Sequence, residues 1–371
     1  MRDYINEYRD PALIGAIASQ IARENKRLCE SGERQINIME ICGGHTHTIM
    51  KYGISQLLPA NIRFIHGPGC PVCVMPKERI DHAITLAEMP DTILATLGDM
   101  IRVPGSKKTL QEARSAGADI RALYTPLDLI KIARENPRKK VIFFAIGFET
   151  TTPMTAILLE KTIALGLKNL FFHINHILVP PPVRAIMLDG GEIDAFLGPS
   201  HVSVITGYQI FAPIATEFKT PITVSGFEPS DVLQGVLMIL RQFNEGRREV
   251  ENQYSRAVSA KGNEKAQELI AKYMLSRESF RWRGLGDIKK SALKLRENYA
   301  EFDAEVVFKE FLSYEPIDDH KLCLCAEILK GKKSPLDCKV FGKACAPRSP
   351  LGSCMVSGEG ACAAYYKYGL K

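Results

Sequence analysis

The chain has 371 residues, 46% hydrophobic and 24% charged, with 48 basic against 42 acidic residues for a formal charge of +6. That length allows two or three domains, each with its own core, in a composition typical of soluble globular proteins. The basic excess is spread thinly, which gives no nucleic-acid footprint, and no apolar run reaches the roughly 18 residues of a membrane span. The charged start, Met1–Asp10, lacks the apolar core of a signal peptide. A cytoplasmic protein without nucleic-acid or membrane partners is expected. Thiols stay reduced there, so ten cysteines point to metal binding or redox chemistry over structural disulfides.

From Pro11 to Ser31 apolar residues recur at helical spacing (Leu13, Ile14, Ile17, Ile21, Leu28), which predicts an amphipathic helix. Short β-rich runs then alternate with amphipathic stretches. The predicted strands are 36–41, 62–66, 92–97, 120–124, 141–146, 170–174, 193–197 and 222–226. Strands alternating with helices imply parallel sheets covered on both faces. Two sheets of four strands, divided near Asp128–Pro137, are expected. The segments Ile146-Gly147-Phe148-Glu149 and Ser225-Gly226-Phe227-Glu228 fall at similar strand ends. One (β/α)8 barrel, typically about 250 residues, is the alternative.

After Pro229 the texture changes. A helix over 230–243 with Ser230 as its cap is expected, then charged helical sequence to about Tyr273. Trp282 and the turn Gly284-Leu285-Gly286 mark a break. The predicted organisation is therefore an α/β domain over 14–128, a second over 129–229, and a helical, cysteine-rich domain over 230–371. Residues 1–13 are expected to pack on the third.

In parallel α/β sheets the reactive positions lie at the carboxyl ends of strands. The first strand runs into Cys42-Gly43-Gly44-His45-Thr46-His47. The glycines let backbone approach a ligand, and the helix start that follows favours a thiolate. A thiol with two imidazoles suits a soft metal or a nucleophile; a tight turn around a buried cysteine is the plainer reading. The second strand ends in Cys70-Pro71-Val72-Cys73, a C-P-x-C pair whose helix end would lower the first thiol's pKa. A redox dithiol or half of a metal site follows. A zinc knuckle would need a second cysteine pair.

The fifth strand leads to Gly147-Phe148-Glu149-Thr150-Thr151-Thr152. Glu149 is the candidate there, costly to bury without a partner, and one threonine is expected to cap the next helix. His173, His176 and His201 read as satisfied loop histidines. No Walker A or G-x-G-x-x-G sequence supports nucleotide binding.

Six of the ten cysteines fall between Cys323 and Cys362, in a segment interleaved with Gly and Pro. So little apolar sequence cannot build a core, which points to a thiolate-bound metal centre. Twelve, six and sixteen residues separate Cys325, Cys338, Cys345 and Cys362. Such wide intervals suit a cubane iron–sulfur cluster. Zinc is the alternative, although Cys323-x-Cys325 is too tight for a knuckle. Cys323 and Cys354 would pair with each other or neighbour the centre, and Cys29 reads as a buried helical thiol.

Together, Cys42-Gly-Gly-His-Thr-His, Gly67-Pro-Gly-Cys-Pro-Val-Cys73, Gly147-Phe-Glu-Thr-Thr and Gly352-Ser-Cys-Met-Val-Ser-Gly-Glu-Gly-Ala-Cys362 resemble the HypD family of [NiFe]-hydrogenase maturation proteins, over essentially the whole chain. The family's C-x12-C-x6-C-x16-C pattern falls on Cys325, Cys338, Cys345 and Cys362. The resemblance implies two parallel-sheet α/β domains plus a helical, cysteine-rich [4Fe-4S] domain. It also implies a scaffold, formed with the chaperone HypC, on which Fe(CN)2CO is assembled. Cyanide would come from a thiocyanate-like group on HypE, and the finished unit would pass to the hydrogenase large subunit. On that reading Cys42 and a HypC cysteine ligate the iron, and His45 or His47 hydrogen-bonds a diatomic ligand or the thiolate. Cys70 and Cys73 supply two electrons, re-reduced through the cluster. A cluster-driven disulfide reductase of the ferredoxin–thioredoxin reductase type is the rival, and a zinc-stabilised binding module a third reading.

Overall fold

Alternation of apolar side chains decides how the central strands are used. In β5 (Lys140–Gly147), Val141, Phe143 and Ala145 enter one core while Ile142, Phe144 and Ile146 enter another, all at most 2% exposed. In β1 (Ile36–Glu40), Ile36 and Ile38 face one core and Met39 the other. Strands buried on both faces belong to parallel sheets covered on both sides. The computed structural model describes residues 6–369 other than 31 and 33, and shows this arrangement twice.

The remaining strands are β2 (Ile62–His66), β3 (Thr92–Leu97), β4 (Asp119–Leu123), β6 (Leu170–His176), β7 (Ala195–Pro199), β8 (Ile222–Ser225) and β9 (Val250–Asn252). One parallel sheet has the order β2-β1-β7-β8-β9 and the other β4-β3-β5-β6. Two sheets were expected and a barrel is not formed, but the strands are shared out differently. The chain leaves the first sheet after β2, builds the second with β3 to β6, and returns for β7 to β9. The expected division of strands near 128–137 is thus corrected: it falls inside the second sheet. Similar strand-end sequences do not encode sheet membership, which is set by non-local pairing. β9 lies within the stretch 230–273 expected to be helical, and corrects that expectation.

The first sheet is covered on one face by the helices Pro11–Leu28 and Pro229–Asn244, whose Ile17, Ile21, Val232, Val236 and Leu240 pack with Ile36, Ile38 and Leu197. Glu228 caps the second helix in a capping box with Asp231. Ser230, the predicted cap, lies inside the helix with its hydroxyl buried. Residues Asn6 to Asp10 reach back to this region. Arg9 pairs with Glu228, and the Arg256 guanidinium stands 4.2 Å from the Tyr8 ring.

After residue 244 helix is less abundant than expected. Two antiparallel ribbons occupy 274–295: β10 (Met274–Ser276) with β13 (Leu293–Leu295), and β11 (Ser279–Trp282) with β12 (Gly286–Lys289). The tail then runs through short turns to the helices Cys325–Leu329 and Ala361–Tyr368. Its apolar residues do not form a separate core. Ile328, Val340, Met355 and Val356 join Met39, Phe144 and Trp282 in one continuous cluster between the sheets. Cys29 ends the first helix as a half-exposed cap rather than a buried helical thiol.

Candidate functional site

In the first sheet β1 and β7 are neighbours, and the chain leaves β1 toward β2 on one side and β7 toward β8 on the other, so the connections at their carboxyl ends diverge. Such a switch point leaves a crevice in open α/β sheets. Cys42 stands there as the amino-terminal flank of the helix Gly43–Lys51. Missing side chains make room for it. A Cβ on Gly69 would lie 2.5 Å from the Cys42 backbone, one on Gly43 would strike Glu359, and one on Gly44 would lie 2.7 Å from Phe227.

Beneath Cys42 lies a carboxylate within the apolar strand β1. Glu40 is fully buried. Its Oε2 accepts from the Cys42 N–H at 3.2 Å, while its Oε1 takes the Thr46 hydroxyl and His66 Nδ1, the latter at 2.7 Å. His66 Nε2 stands 3.3 Å from the Tyr365 hydroxyl on the final helix, tying the tail to this loop. Burial pushes the Cys42 thiol above its ordinary range, and Glu359 and Glu40 add to the effect. The expected preference for thiolate is therefore corrected for the protein without metal. The helix start is outweighed by lost hydration and two nearby acidic groups.

A cavity of about 880 Å³ opens beside Cys42 at the carboxyl ends of β1, β2, β3, β7 and β8, with the tail segment 357–359 closing one side. His47, Cys70, His201, Phe227, Arg256 and Glu359 lie in its lining. The two histidines of the Cys42 motif part company. His47 lines the cavity with its ring edge-on to Tyr368 at 5.2 Å. His45 turns inward, its Nε2 donating to the carbonyls of Ser225 and Gly226 at 3.1 and 3.0 Å. Burial lowers its pKa to about 4. It is a neutral pin between β1 and β8, with Nδ1 unpartnered.

Cys70 precedes a single helical turn, Pro71–Val74, which contains Cys73, 1% exposed. Four residues carry little of the helix dipole that the sequence reading invoked. Burial raises the Cys73 thiol well above its usual range, with Cys354 and Cys70 adding to the effect. Cys354 is linked in the same way to Cys325, and Cys325 to Cys362 and Cys323. A run of mutually influencing thiols thus leads from the cavity wall into the tail. Cys325, Cys338, Cys345 and Cys362 line one small pocket with Ile328, Val340, Phe341 and Met355, and Cys323 joins them. No charged side chain enters that lining. A Cβ on Gly352 would fall 2.6 Å from the sulfurs of both Cys323 and Cys325, and the Leu351 N–H points at the Cys345 sulfur at 3.4 Å. A sulfur-only donor set in an apolar pocket suits soft metals and iron–sulfur clusters. All ten cysteines are free thiols.

Glu149 lies at the end of β5, outside the cavity lining. Its Oε1 accepts from the Val179 N–H at 2.9 Å. The threonines beside it do not cap the next helix; Thr151 and Thr152 donate to the Phe148 carbonyl. His173 and His176 are buried strand residues rather than loop ones, the first against His82 and Asn175, the second 2.8 Å from Thr155. His201, read as a loop histidine, lies in the first turn of the helix Ser200–Thr206, its ring tilted against Phe227 at 4.2 Å in the cavity. Sequence reasoning missed Glu40, His66 and Glu359. Glu40 carried a signal, since an acid in the run Ile36–Ile41, polar elsewhere only at Asn37, must find partners.

A parallel α/β protein with a thiol at a sheet switch point, a second thiol in the wall of the cavity beside it and a sulfur-lined pocket behind defines a cysteine-rich α/β class. The family model described as "HypD: Hydrogenase formation hypA family" matches residues 13–369. The "Hydrogenase maturation factor HypD" of Azotobacter vinelandii is 52% identical over 373 residues, covering 99% of this chain and 97% of that protein. That of Rhizobium leguminosarum bv. viciae is 52% identical over 375 residues, covering 99% and 95%. That of Escherichia coli K12 is 44% identical over 367 residues, covering 98% of each. The chain belongs to the HypD family.

Proposed function

We propose that this chain is a hydrogenase maturation factor that, with a HypC-type chaperone, forms the scaffold on which an Fe(CN)2CO unit is assembled. The observation that carries the reading is the place of Cys42, at the switch point beside a cavity that holds a second thiol, Cys70, in its wall. The iron is cargo, ligated by Cys42 and a chaperone cysteine. Thiolates keep iron electron-rich, which suits CO and cyanide. Since Cys42 is held as the thiol, it must lose its proton to bind iron, so uptake strengthens as pH rises. His47 lines the cavity and is placed to hydrogen-bond a diatomic ligand; His45 positions the loop. Glu149 supports the sheet end instead.

Cyanide arrives on a thiocyanate-type group of a HypE-type donor. Cleaving that group to a thiolate and CN⁻ takes two electrons. Cys70 and Cys73 supply both by closing to a disulfide, with release of two protons. Cys325, Cys338, Cys345 and Cys362 would hold a [4Fe-4S] cluster, which supplies electrons one at a time. Cys354, which is buried and influences both Cys73 and Cys325, stands between the two thiol sets. The finished unit passes to the large subunit of the hydrogenase, in the reducing cytoplasm that free thiols require. A ferredoxin–thioredoxin reductase type of activity would use the dithiol and cluster but leave Cys42 and its cavity without a task.

Complementation tests this. In a host lacking its own HypD-type factor, the chain is expected to restore hydrogenase activity, and Cys42→Ala to abolish that restoration. Full activity with Cys42→Ala would sink the proposal.

A further inference from the structure

One buried cation has no task in the proposed function. Arg283 follows β11 and is 4% exposed. Its Nε donates to Asp319 Oδ1 at 2.6 Å, its Nη2 stands 2.6 Å from the same oxygen as an ion pair, and neither Nη1 nor Nη2 has a hydrogen-bond partner. One carboxylate oxygen against five N–H donors leaves a buried guanidinium under-satisfied, a costly arrangement unless further negative charge lies nearby.

The chain brings Arg283 to both thiol segments. Its backbone N–H donates to the Val74 carbonyl at 2.8 Å, the residue after Cys73. Gly284, at a φ of +80°, packs so closely on Ala326, the residue after Cys325, that a Cβ would lie 2.7 Å from the Ala326 Cα. Arg283, Asp319 and Ala326 share the wall of a cavity of about 270 Å³. Burial, the largest influence, works against the Arg283 charge, yet Asp319, then Cys325 and Cys323, more than offset it.

We propose that Arg283 is a positioning residue for the sulfur pocket: its buried charge, held where Gly284 packs on the residue after Cys325, raises the reduction potential of the centre held in that pocket. This rests on the reading that Cys325, Cys338, Cys345 and Cys362 hold a [4Fe-4S] cluster. A centre bound by four thiolates gains negative charge with each electron, and a nearby cation in a low dielectric stabilises the reduced form more than the oxidised one.

The test is a redox titration followed by electron paramagnetic resonance, on full-length protein purified without oxygen and assayed for iron and sulfide. Arg283→Gln is expected to change the reduced-to-oxidised ratio at fixed poise at least tenfold toward oxidised, about 59 mV for a one-electron couple. Asp319→Asn, which frees the guanidinium, shifts it the other way, and Arg283→Lys stays near wild type. Wild-type potential in both Arg283→Gln and Asp319→Asn overturns the proposal. So does a drop in Arg283→Lys as large as in Arg283→Gln, which would make packing the cause. If Arg283→Gln loses the cluster, Asp319→Asn decides, an unmoved potential overturning the proposal. Wild-type protein without iron and sulfide defeats the cluster reading itself.

Discussion

At the end of β5 the Glu149 carboxyl is buried, with the Val179 N–H on one oxygen and no partner on the other. Burial raises its pKa from 4.5 to about 7. The folded state therefore holds the proton to higher pH than the unfolded chain. Its contribution to stability is fully present below about pH 4.5 and is lost as pH rises through about 7. Glu149→Gln, neutral throughout, is expected to remove that loss, on the order of 3 kcal/mol. Urea unfolding of both proteins at pH 5 and pH 8 checks it: the variant gains relative to wild type at pH 8, and equal differences at the two pH values would contradict the assignment. Residue chemistry was legible where the reactive atoms sit close in sequence, as in Cys42-Gly-Gly-His-Thr-His and Cys70-Pro-Val-Cys. It was not legible where burial sets the outcome. His45 and His47 look alike in sequence, yet one is a buried pin and the other lines the cavity.

At the scale of elements, the eight predicted strands form within about two residues of their expected limits, because strands buried on both faces leave strong apolar runs. Which sheet each joins was not legible. The register Ile38↔Ala195 pairs residues 157 apart, and nothing local announces it. The glycines at the site record the same long-range packing. Gly69→Ala would push a Cβ to 2.5 Å from the Cys42 backbone, and overpacking of this kind costs roughly 1–3 kcal/mol or more. Gly15, in the helix Pro11–Leu28, has nothing within 4 Å of an added Cβ. Gly15→Ala is expected to stabilise by about 0.5–1 kcal/mol. Thermal melts of the two variants check the contrast, and equal shifts would contradict the packing described for the loop.

Across the whole molecule, the tail that reads in sequence as a separate domain shares the central apolar cluster. Its final helix reaches Glu40 through Tyr365 and His66, and its 357–359 segment closes the cavity beside Cys42. Cysteine spacing gave the expectation of a thiolate-bound centre in the tail, while the tail's place against the Cys42 loop depends on contacts nearly 300 residues apart, such as His66 with Tyr365. The thiols of Cys70, Cys73, Cys354 and Cys325 then influence one another in a run between cavity and tail. The account's central claim is that Cys42 holds the iron. Infrared spectra of the anaerobically purified complex with a HypC-type chaperone test it most directly. Wild-type protein is expected to show iron-bound cyanide and CO bands, and Cys42→Ala to lose them while keeping the iron and sulfide of the tail. Undiminished bands in Cys42→Ala would contradict the claim.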